Sequence, residues 1–595
     1  MPVKKNQRKE LMSRRAFFVL GGQLGLLSAL FAKTSYMQLI KGMEYKMLSD
    51  KNRITFIILQ PDRGNIYDVM GNAVATNKSC FSLFINKNAG SNSSSYNSEL
   101  SIIAELLDLK PDTISAMNYN IDNGLKYRPV LLLDDINWKQ MSIIEERIYQ
   151  LPNCFIQKMY KRLYPFASIS SHLLGYVGKL NKQEMASPNI AHDNLIIGKC
   201  GIEKYYEDQL RGKCGYKEIE VNAMGKQIRE IYTQKSQKGS DLHLNIDINL
   251  QSRIMQSLNN QIASAIVMDC SNGKILALAS TPNFDPNQFN KLSKQYWSDL
   301  INNPHKPMLN HAVQSSYSPG SVFKLVTFIA ALKLGISHDT IIRCTSQSAL
   351  GNKYFHCASR FGHGAINMIE AIERSCNSYV FAIAKMIGAE IILDTASQLG
   401  FGSITYADLP GEVAGFIPSI SWKQEKFKEK WNLADTLNIS IGQGAISVTP
   451  IQLARFVTAI ATQGKLYRPK IAQNNQKDQR AVYVESDIAS EHFDIIRRSM
   501  YNAVNSAKGT AYSSRVTGGI LAGKTGTAQV QSKKSRDDDL SRSSIPWKQR
   551  NHGVFIGFAP YDNPKYSVTV FAPHGGSGSK AAAPLAKNIV NILIS

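Results

Sequence analysis

Residues 317–324, YSPGSVFK, decide how the rest of the chain is read. They place Ser321 and Lys324 three positions apart. If Ser321 opens a helix, Lys324 lies one turn along on the same face. An amine there can take the hydroxyl proton, provided burial or neighbouring positive charge lowers its pKa. A helix start also aims backbone N–H groups at developing negative charge. The plain alternative is a serine N-cap followed by a solvated lysine. S-x-x-K recurs by chance in long proteins, so its meaning depends on what accompanies it.

Two companions follow. SCN at 375–377 offers Ser375 and Asn377 as S-x-N, and GKTGTAQV at 523–530 offers Lys524, Thr525, Gly526 and Thr527. Singly these are a turn and a strand end. In this order, with S-x-N about fifty residues after S-x-x-K and K-T-G followed by strands, they match the set that serves serine acyl transfer in β-lactamases and penicillin-binding proteins.

The 595-residue chain is too long for one compact core, so two to four domains are expected. Its 43% apolar and 19% charged content is ordinary for a globular protein. A formal charge of +23 would suit nucleic acid, anionic membrane or an acidic polymer. No nucleic-acid-binding motif accompanies it and the basic residues are spread along the chain, so nucleic acid is set aside as a partner. The start is more specific. KKNQRKELMSRR is basic, and AFFVLGGQLGLLSALFA (16–32) is apolar apart from Gln23, near the lower limit for a membrane-spanning helix. Apolar character resumes with Tyr36, Met37, Leu39 and Ile40. Positive charge on the N-terminal side alone puts the N-terminus inside and the bulk outside. A cleaved signal peptide would want a small residue where Leu30 stands, so an uncleaved anchor is expected.

The expected division is a basic cytoplasmic tail at 1–15, a transmembrane anchor at 16–40, an irregular α+β pedestal at 41–240 and an α+β domain at 241–595. In the pedestal, ITFIILQPDRGNIYDVMGNAVATN reads as strands and turns, 89–98 as a polar loop, and GKCGIEKYYEDQLRG as a turn entering an amphipathic helix. Beyond 241 a helix precedes two strands joined through Asn272-Gly273. HGVFIGFAP and YSVTVFAPHGG read as further strands and AAAPLAKNIVNILIS as a closing helix, so one sheet draws on distant segments. The charged stretch 532–550 reads as a mobile loop.

RGNIYD (63–68), HLLGYVG (172–178), GIEKYYEDQLRG (201–212), IGQGAISVTPIQLA (441–454) and HGGSGSKAAAP (574–584) extend the likeness along almost the whole chain. The sequence resembles a class B penicillin-binding protein, a monofunctional peptidoglycan transpeptidase. The HGG segment and PWKQRNHGVFIGFAP favour the elongation-type branch, penicillin-binding protein 2, over the septal one. Two positions depart: Ser318 stands where proline is usual, and Pro573 where an acidic residue is common. The resemblance implies a β-lactamase-like penicillin-binding domain on a dimerisation-type pedestal, anchored in a bacterial inner membrane with its catalytic domain in the periplasm. It implies that Ser321 attacks the penultimate D-Ala carbonyl of a stem peptide while Lys324 takes the proton. Ser375 would relay a proton to the leaving amine, and Asn377 would orient Lys324 and substrate. Lys524, Thr525 and Thr527 would hold the terminal carboxylate, with Gly526 in the same strand, and the Ser321 and Thr527 N–H groups would form the oxyanion hole. A β-lactam should stall the acyl-enzyme, and D,D-carboxypeptidase side activity is possible chemistry for the same site.

No second constellation for glycan polymerisation is present in the sequence. The family therefore implies a separate membrane glycosyltransferase of the shape–elongation–division–sporulation (SEDS) class, together with the elongation machinery. A β-lactamase would share the triplet but need a group activating water for deacylation. A β-lactam sensor would need more than about fifteen cytoplasmic residues, and a scaffold would not need the triplet.

Three of the eight cysteines form, with a histidine, C-x12-C-x5-H-x12-C: Cys344, Cys357, His363 and Cys376. A Cys3His set suits closed tetrahedral zinc. A Cys344–Cys357 disulfide suits the extracytoplasmic location, and unlinked thiols stay open as well. The elongation-type family implies a metal site here, with thiolates replacing two acids, a change that suits zinc. His356 should point elsewhere. Cys80, Cys154, Cys200, Cys214 and Cys270 read as buried apolar residues.

Overall fold

Strands from distant parts of the sequence meet in one antiparallel sheet. They are β1 (Ala263–Asp269), β2 (Ile275–Thr281), β3 (Ala522–Ala528), β4 (His552–Ala559) and β5 (Tyr566–Ala572), in the order β2-β1-β5-β4-β3. The reversal between β1 and β2 carries Gly273 at φ 73°, as Asn-Gly requires. Successive residues of β4 face opposite sides. Ile556 and Phe558 join one core with Phe328, Ile383 and Phe456, whereas Phe555 joins another with Val568, Leu585 and Ile589. Helices therefore cover both faces. They include α1 (Lys324–Lys333), α2 (Met368–Glu373), α3 (Asn377–Gln398), α4 (Pro450–Ala461) and α5 (Ala583–Ile594). Helix α1 is apolar nearly all round and buried from Lys324 to Leu332, as such a helix must be.

This is a computed structural model, and it describes residues 14–41, 54–87, 92–124, 129–185, 196–221, 227–258, 261–351, 353–473, 482–530 and 545–595. The chain divides into two compact units. One comprises Met1–Pro61, Ser79–Met159 and Lys213–Gln237; the other Asp62–Lys78, Tyr160–Gly212 and Lys238–Ser595. In the first, strand Ala73–Asn86 pairs with Pro129–Ile136 over Phe81–Asn86. Helices Asn97–Leu107, Pro111–Asn123 and Trp138–Glu146 supply Leu100, Ile103, Ile121 and Ile144 to a small core with Leu83 and Ile85. A separate sheet joins Ile54–Leu59, Gly215–Val221 and Gln227–Gln234.

In the second unit, RGNIYD and GIEKYYEDQLRG meet through buried charge. Arg63 Nε donates to Glu203 at 2.6 Å and Arg162 Nε to its other oxygen at 2.7 Å. Arg63 Nη2 also reaches Glu207 at 2.7 Å. Burial raises the Glu203 pKa, but the two guanidiniums more than reverse this and hold it below the ordinary range.

Some expectations are corrected, and others fall partly outside the described residues. The amphipathic helix in GIEKYYEDQLRG is two five-residue helices, Gly201–Tyr205 and Glu207–Arg211. They part at Tyr206, which leaves helical geometry with its hydroxyl bound to Asp408 at 2.8 Å. Of the polar loop at 89–98, residues 89–91 lie outside the described residues; Ser93–Tyr96 form a 3-10 turn and Asn97 opens a helix. Most of 532–550 also lies outside them, and Trp547–Gln549 form a further 3-10 turn. The expected anchor at 16–40 falls on helix Arg14–Ser35 and a wide π turn, Tyr36–Ile40. Among the described residues no helix is long and apolar enough to cross a membrane.

Candidate active site

Ser321 sits in a 3-10 turn, Gly320–Val322, and the α-helix proper starts at Lys324. The tighter turn stacks i over i+3, so the S-x-x-K spacing keeps its geometric sense although Ser321 does not open α1. Lys324 is 1% exposed. Its amine donates to the Ser375 carbonyl at 2.8 Å, the Ser375 hydroxyl at 3.0 Å and Asn377 Oδ1 at 2.6 Å. These bonds run to S-x-N rather than to Ser321. Burial lowers the Lys324 pKa to about 8 against an opposing pull from Cys357 and Cys376.

Local backbone rules place Ser375. It follows the last turn of α2 with φ 55°, in the left-handed region. Its N–H bonds to the Ile372 carbonyl, and the Cys376 N–H to the Ala371 carbonyl at 2.8 Å. That pattern is a Schellman cap with serine at the position glycine usually takes. Cys376 then caps α3, its sulfur accepting from the Tyr379 N–H at 3.4 Å. Ser375 and Asn377 thus reach Lys324 while the residue between them turns back into the core, 0% exposed. Asn377 is braced from its other side, where Nδ2 donates to the His356 carbonyl at 2.9 Å. The sequence had set His356 aside, and the contact uses its backbone.

Strand β3 approaches the Ser321 turn main chain to main chain. A Cβ on Gly320, at φ 55°, would fall 2.5 Å from the Thr527 carbonyl oxygen, and one on Gly526 2.9 Å from that of Pro319. On the other side, the Gly320 N–H donates to the Gly442 carbonyl at 3.0 Å. IGQG therefore belongs to the site, a role its sequence did not reveal. Lys524 is fully buried and donates to the Thr525 carbonyl at 3.2 Å. Burial, joined by repulsion from Lys324, drives its pKa well down. Thr525 Oγ1 donates to Thr510 Oγ1 at 2.9 Å, and Thr527 Oγ1 accepts the Gly578 N–H at 3.1 Å. Thr510 and Gly578 are further partners that spacing alone could not find.

Behind Ser375, one donor atom from each of Cys344, Cys357, His363 and Cys376 lies within 4.8 Å of every other. His363 Nδ1 is 3.5 Å from the sulfurs of both Cys344 and Cys357, and the Cys357 and Cys376 sulfurs are 3.8 Å apart. Ideal tetrahedral zinc distances imply S···S edges of about 3.8 Å and N···S edges of about 3.5 Å, so the donors fit that ion. Among the described residues no cysteine is in a disulfide. Cys80, Cys154 and Cys270 are buried as expected, but Cys200 and Cys214 are partly exposed, which corrects their assignment to the core.

The penicillin binding protein transpeptidase domain family matches residues 263–591, and the penicillin-binding protein dimerisation domain family matches 58–244. The chain belongs to the penicillin-binding protein transpeptidase family. Among curated relatives, the peptidoglycan D,D-transpeptidase MrdA of Haemophilus influenzae is 32% identical, covering 99% of this chain and 93% of its own. That of Escherichia coli K12 is 30% identical, covering 98% and 94%. The structure of penicillin-binding protein 2 from Helicobacter pylori, solved in complex with MreC, superposes with a TM-score of 0.81 at 30% identity, covering 91% of this chain and 98% of that one. These likenesses place this penicillin-binding protein in the elongation-type branch. Its two departures lie close to the site. Ser318 donates to the Ile446 carbonyl at 3.3 Å, and Pro573 leads into His574 at φ 55°.

Proposed function

We propose that the protein cross-links peptidoglycan stem peptides by serine acyl transfer, D-Ala-D-Ala transpeptidation, during cell elongation and shape maintenance. The observation that carries this is the buried Lys324 amine, which joins the S-x-x-K turn to both polar residues of S-x-N. Ser321 Oγ bonds to the penultimate D-Ala carbonyl carbon, and its proton passes to Lys324 in the neutral form that burial favours. Ser375 returns a proton to the departing D-Ala amine. Asn377 holds Lys324, and Lys524, Thr525 and Thr527 receive the terminal carboxylate. A stem-peptide amine then displaces Ser321 from the acyl-enzyme. A β-lactam enters the same path and stops at the acyl stage.

The three thiols and His363 support one structural zinc ion per chain. Bound there, zinc supplies a closed four-ligand tie and no reacting group. The tie fixes Cys376, hence the backbone that aims Ser375 and Asn377. Metal analysis with thiol titration checks this: one zinc per chain is expected, reduced in Cys376→Ser, and two thiols missing without metal would mean a disulfide. The basic start and the largely apolar sequence run 16–32 support a single-pass inner-membrane anchor with a periplasmic catalytic domain. The relative crystallised with MreC, and a structure 25% identical titled as a peptidoglycan synthase complex, support partners in the elongation machinery, including a SEDS-class glycosyltransferase.

Fluorescent penicillin is the direct test. Purified protein should label covalently, and Ser321→Ala should abolish labelling. Fast turnover of a chromogenic β-lactam by the wild type would instead indicate a β-lactamase.

A further inference from the structure

The Thr527 hydroxyl is held from outside the three motifs. Its oxygen accepts the Gly578 N–H, which leaves its own hydrogen available to a ligand carboxylate. Gly578 belongs to HGGSGSK, 574–580, and no side chain could replace it. A Cβ there would sit 2.2 Å from the Gly526 carbonyl oxygen and 2.5 Å from that of Val554. The place of Gly578 depends on how the segment leaves β5, and this exit is unusual. His574 takes φ 55°, a left-handed conformation that a non-glycine residue adopts at a cost.

Four contacts hold His574. Its N–H donates to His552 Nδ1 at 2.9 Å, its own Nδ1 lies 3.0 Å from the Arg550 carbonyl, and the rings of Trp547 and His552 pack against its ring at 4.5 Å and 4.6 Å. The Gly576 N–H adds a bond to the Asn551 carbonyl at 2.8 Å. A backbone N–H can only donate, so His552 Nδ1 carries a lone pair and His552 is neutral, with its proton on Nε2. The ring is fixed on its far sides by Tyr317, at 5.1 Å, and Phe571. His552 itself starts β4, where it pairs with Ala528, the residue after Thr527.

We propose that His552 is a positioning residue for the transpeptidase reaction: its Nδ1 latches His574, and through the glycine turn sets the Gly578 N–H that orients the Thr527 hydroxyl toward the ligand carboxylate. This rests on the transpeptidase reading, because only a carboxylate-bearing acyl donor would use that hydroxyl. The imidazole works as an acceptor of fixed direction. Asparagine can put Oδ1 where Nδ1 stands, glutamine reaches only the Nε2 position, and leucine accepts nothing.

The test measures penicillin acylation by stopped flow, separating the binding constant from the acylation rate constant. His552→Leu and His552→Gln should weaken penicillin binding about tenfold, the scale of one lost hydrogen bond to a charged group. His552→Asn should stay within about twofold of the wild type. Thr527→Val should weaken binding similarly, and adding His552→Leu to it should produce no further loss, since two steps of one chain do not add. Equal binding in His552→Leu, an Asn variant as weak as the Gln variant, or additive losses in the double variant would each overturn the latch. Should His552→Leu fail to fold, the Gln and Asn variants carry the same contrast. Wild-type protein that is not acylated at all would instead refute the transpeptidase reading.

Discussion

Glu203 and Lys324 are both ionisable groups buried in the second unit, and their surroundings treat them in opposite ways. Glu203 receives two guanidiniums on its two oxygens, and its charged form is favoured. Lys324 receives a carbonyl, a hydroxyl and an amide oxygen, none of them a full negative charge, and its burial outweighs the opposing pull of Cys357 and Cys376. Its charged form is disfavoured, and its pKa falls to about 8. A charge that only holds structure together is neutralised by its neighbours. One that must give up and regain a proton is kept near the point of change.

This contrast can be broken by exchanging each group for an apolar residue of similar length. Lys324→Met should lower the penicillin acylation rate constant by about 10²–10⁴-fold, the usual contribution of a general base, as stopped-flow acylation would show. Glu203→Met should cost about 3–5 kcal/mol of unfolding free energy, because two guanidiniums are left without their carboxylate. The acylation constant of the protein still folded should not change. Denaturant titration should find the Lys324→Met loss well below that of Glu203→Met, and equal losses would remove the distinction. The smallest effect is the most specific. The neutral Lys324 amine is the form that takes a proton, and burial makes it predominate above about pH 8. Acylation should therefore rise about fivefold between pH 7 and pH 8 and level off above. A limb centred near the ordinary lysine value would mean that Lys324 is not the base.

The sequence showed the groups proposed for the chemistry better than the groups that position them. Ser321, Lys324, Ser375, Asn377 and the K-T-G strand were legible because the chemistry ties residue type to fixed local spacing. The four-donor set was legible for the same reason. The supports were not. Gly442, Thr510 and the His356 carbonyl act through backbone or across long separations, and neither leaves a periodic trace. The left-handed serine at 375 lacked the glycine that normally marks a Schellman cap. The five-strand sheet was anticipated as distant segments meeting, but its strand order rests on tertiary packing of apolar runs that look alike in sequence. The broken helix at Tyr206 shows the same limit, since the residue at the break bonds to Asp408, about two hundred residues away.

The glycine contacts around Ser321 have a consequence for how this protein can vary. Gly320, Gly442, Gly526 and Gly578 let four stretches of main chain touch where a methyl group would already collide with a neighbouring atom. A side chain at any of these four places would require main chain to move, whatever the ligand. Change in which acyl donors the cleft accepts therefore has more room at its margins, at residues such as Ser318, whose hydroxyl reaches only the Ile446 carbonyl among the described residues.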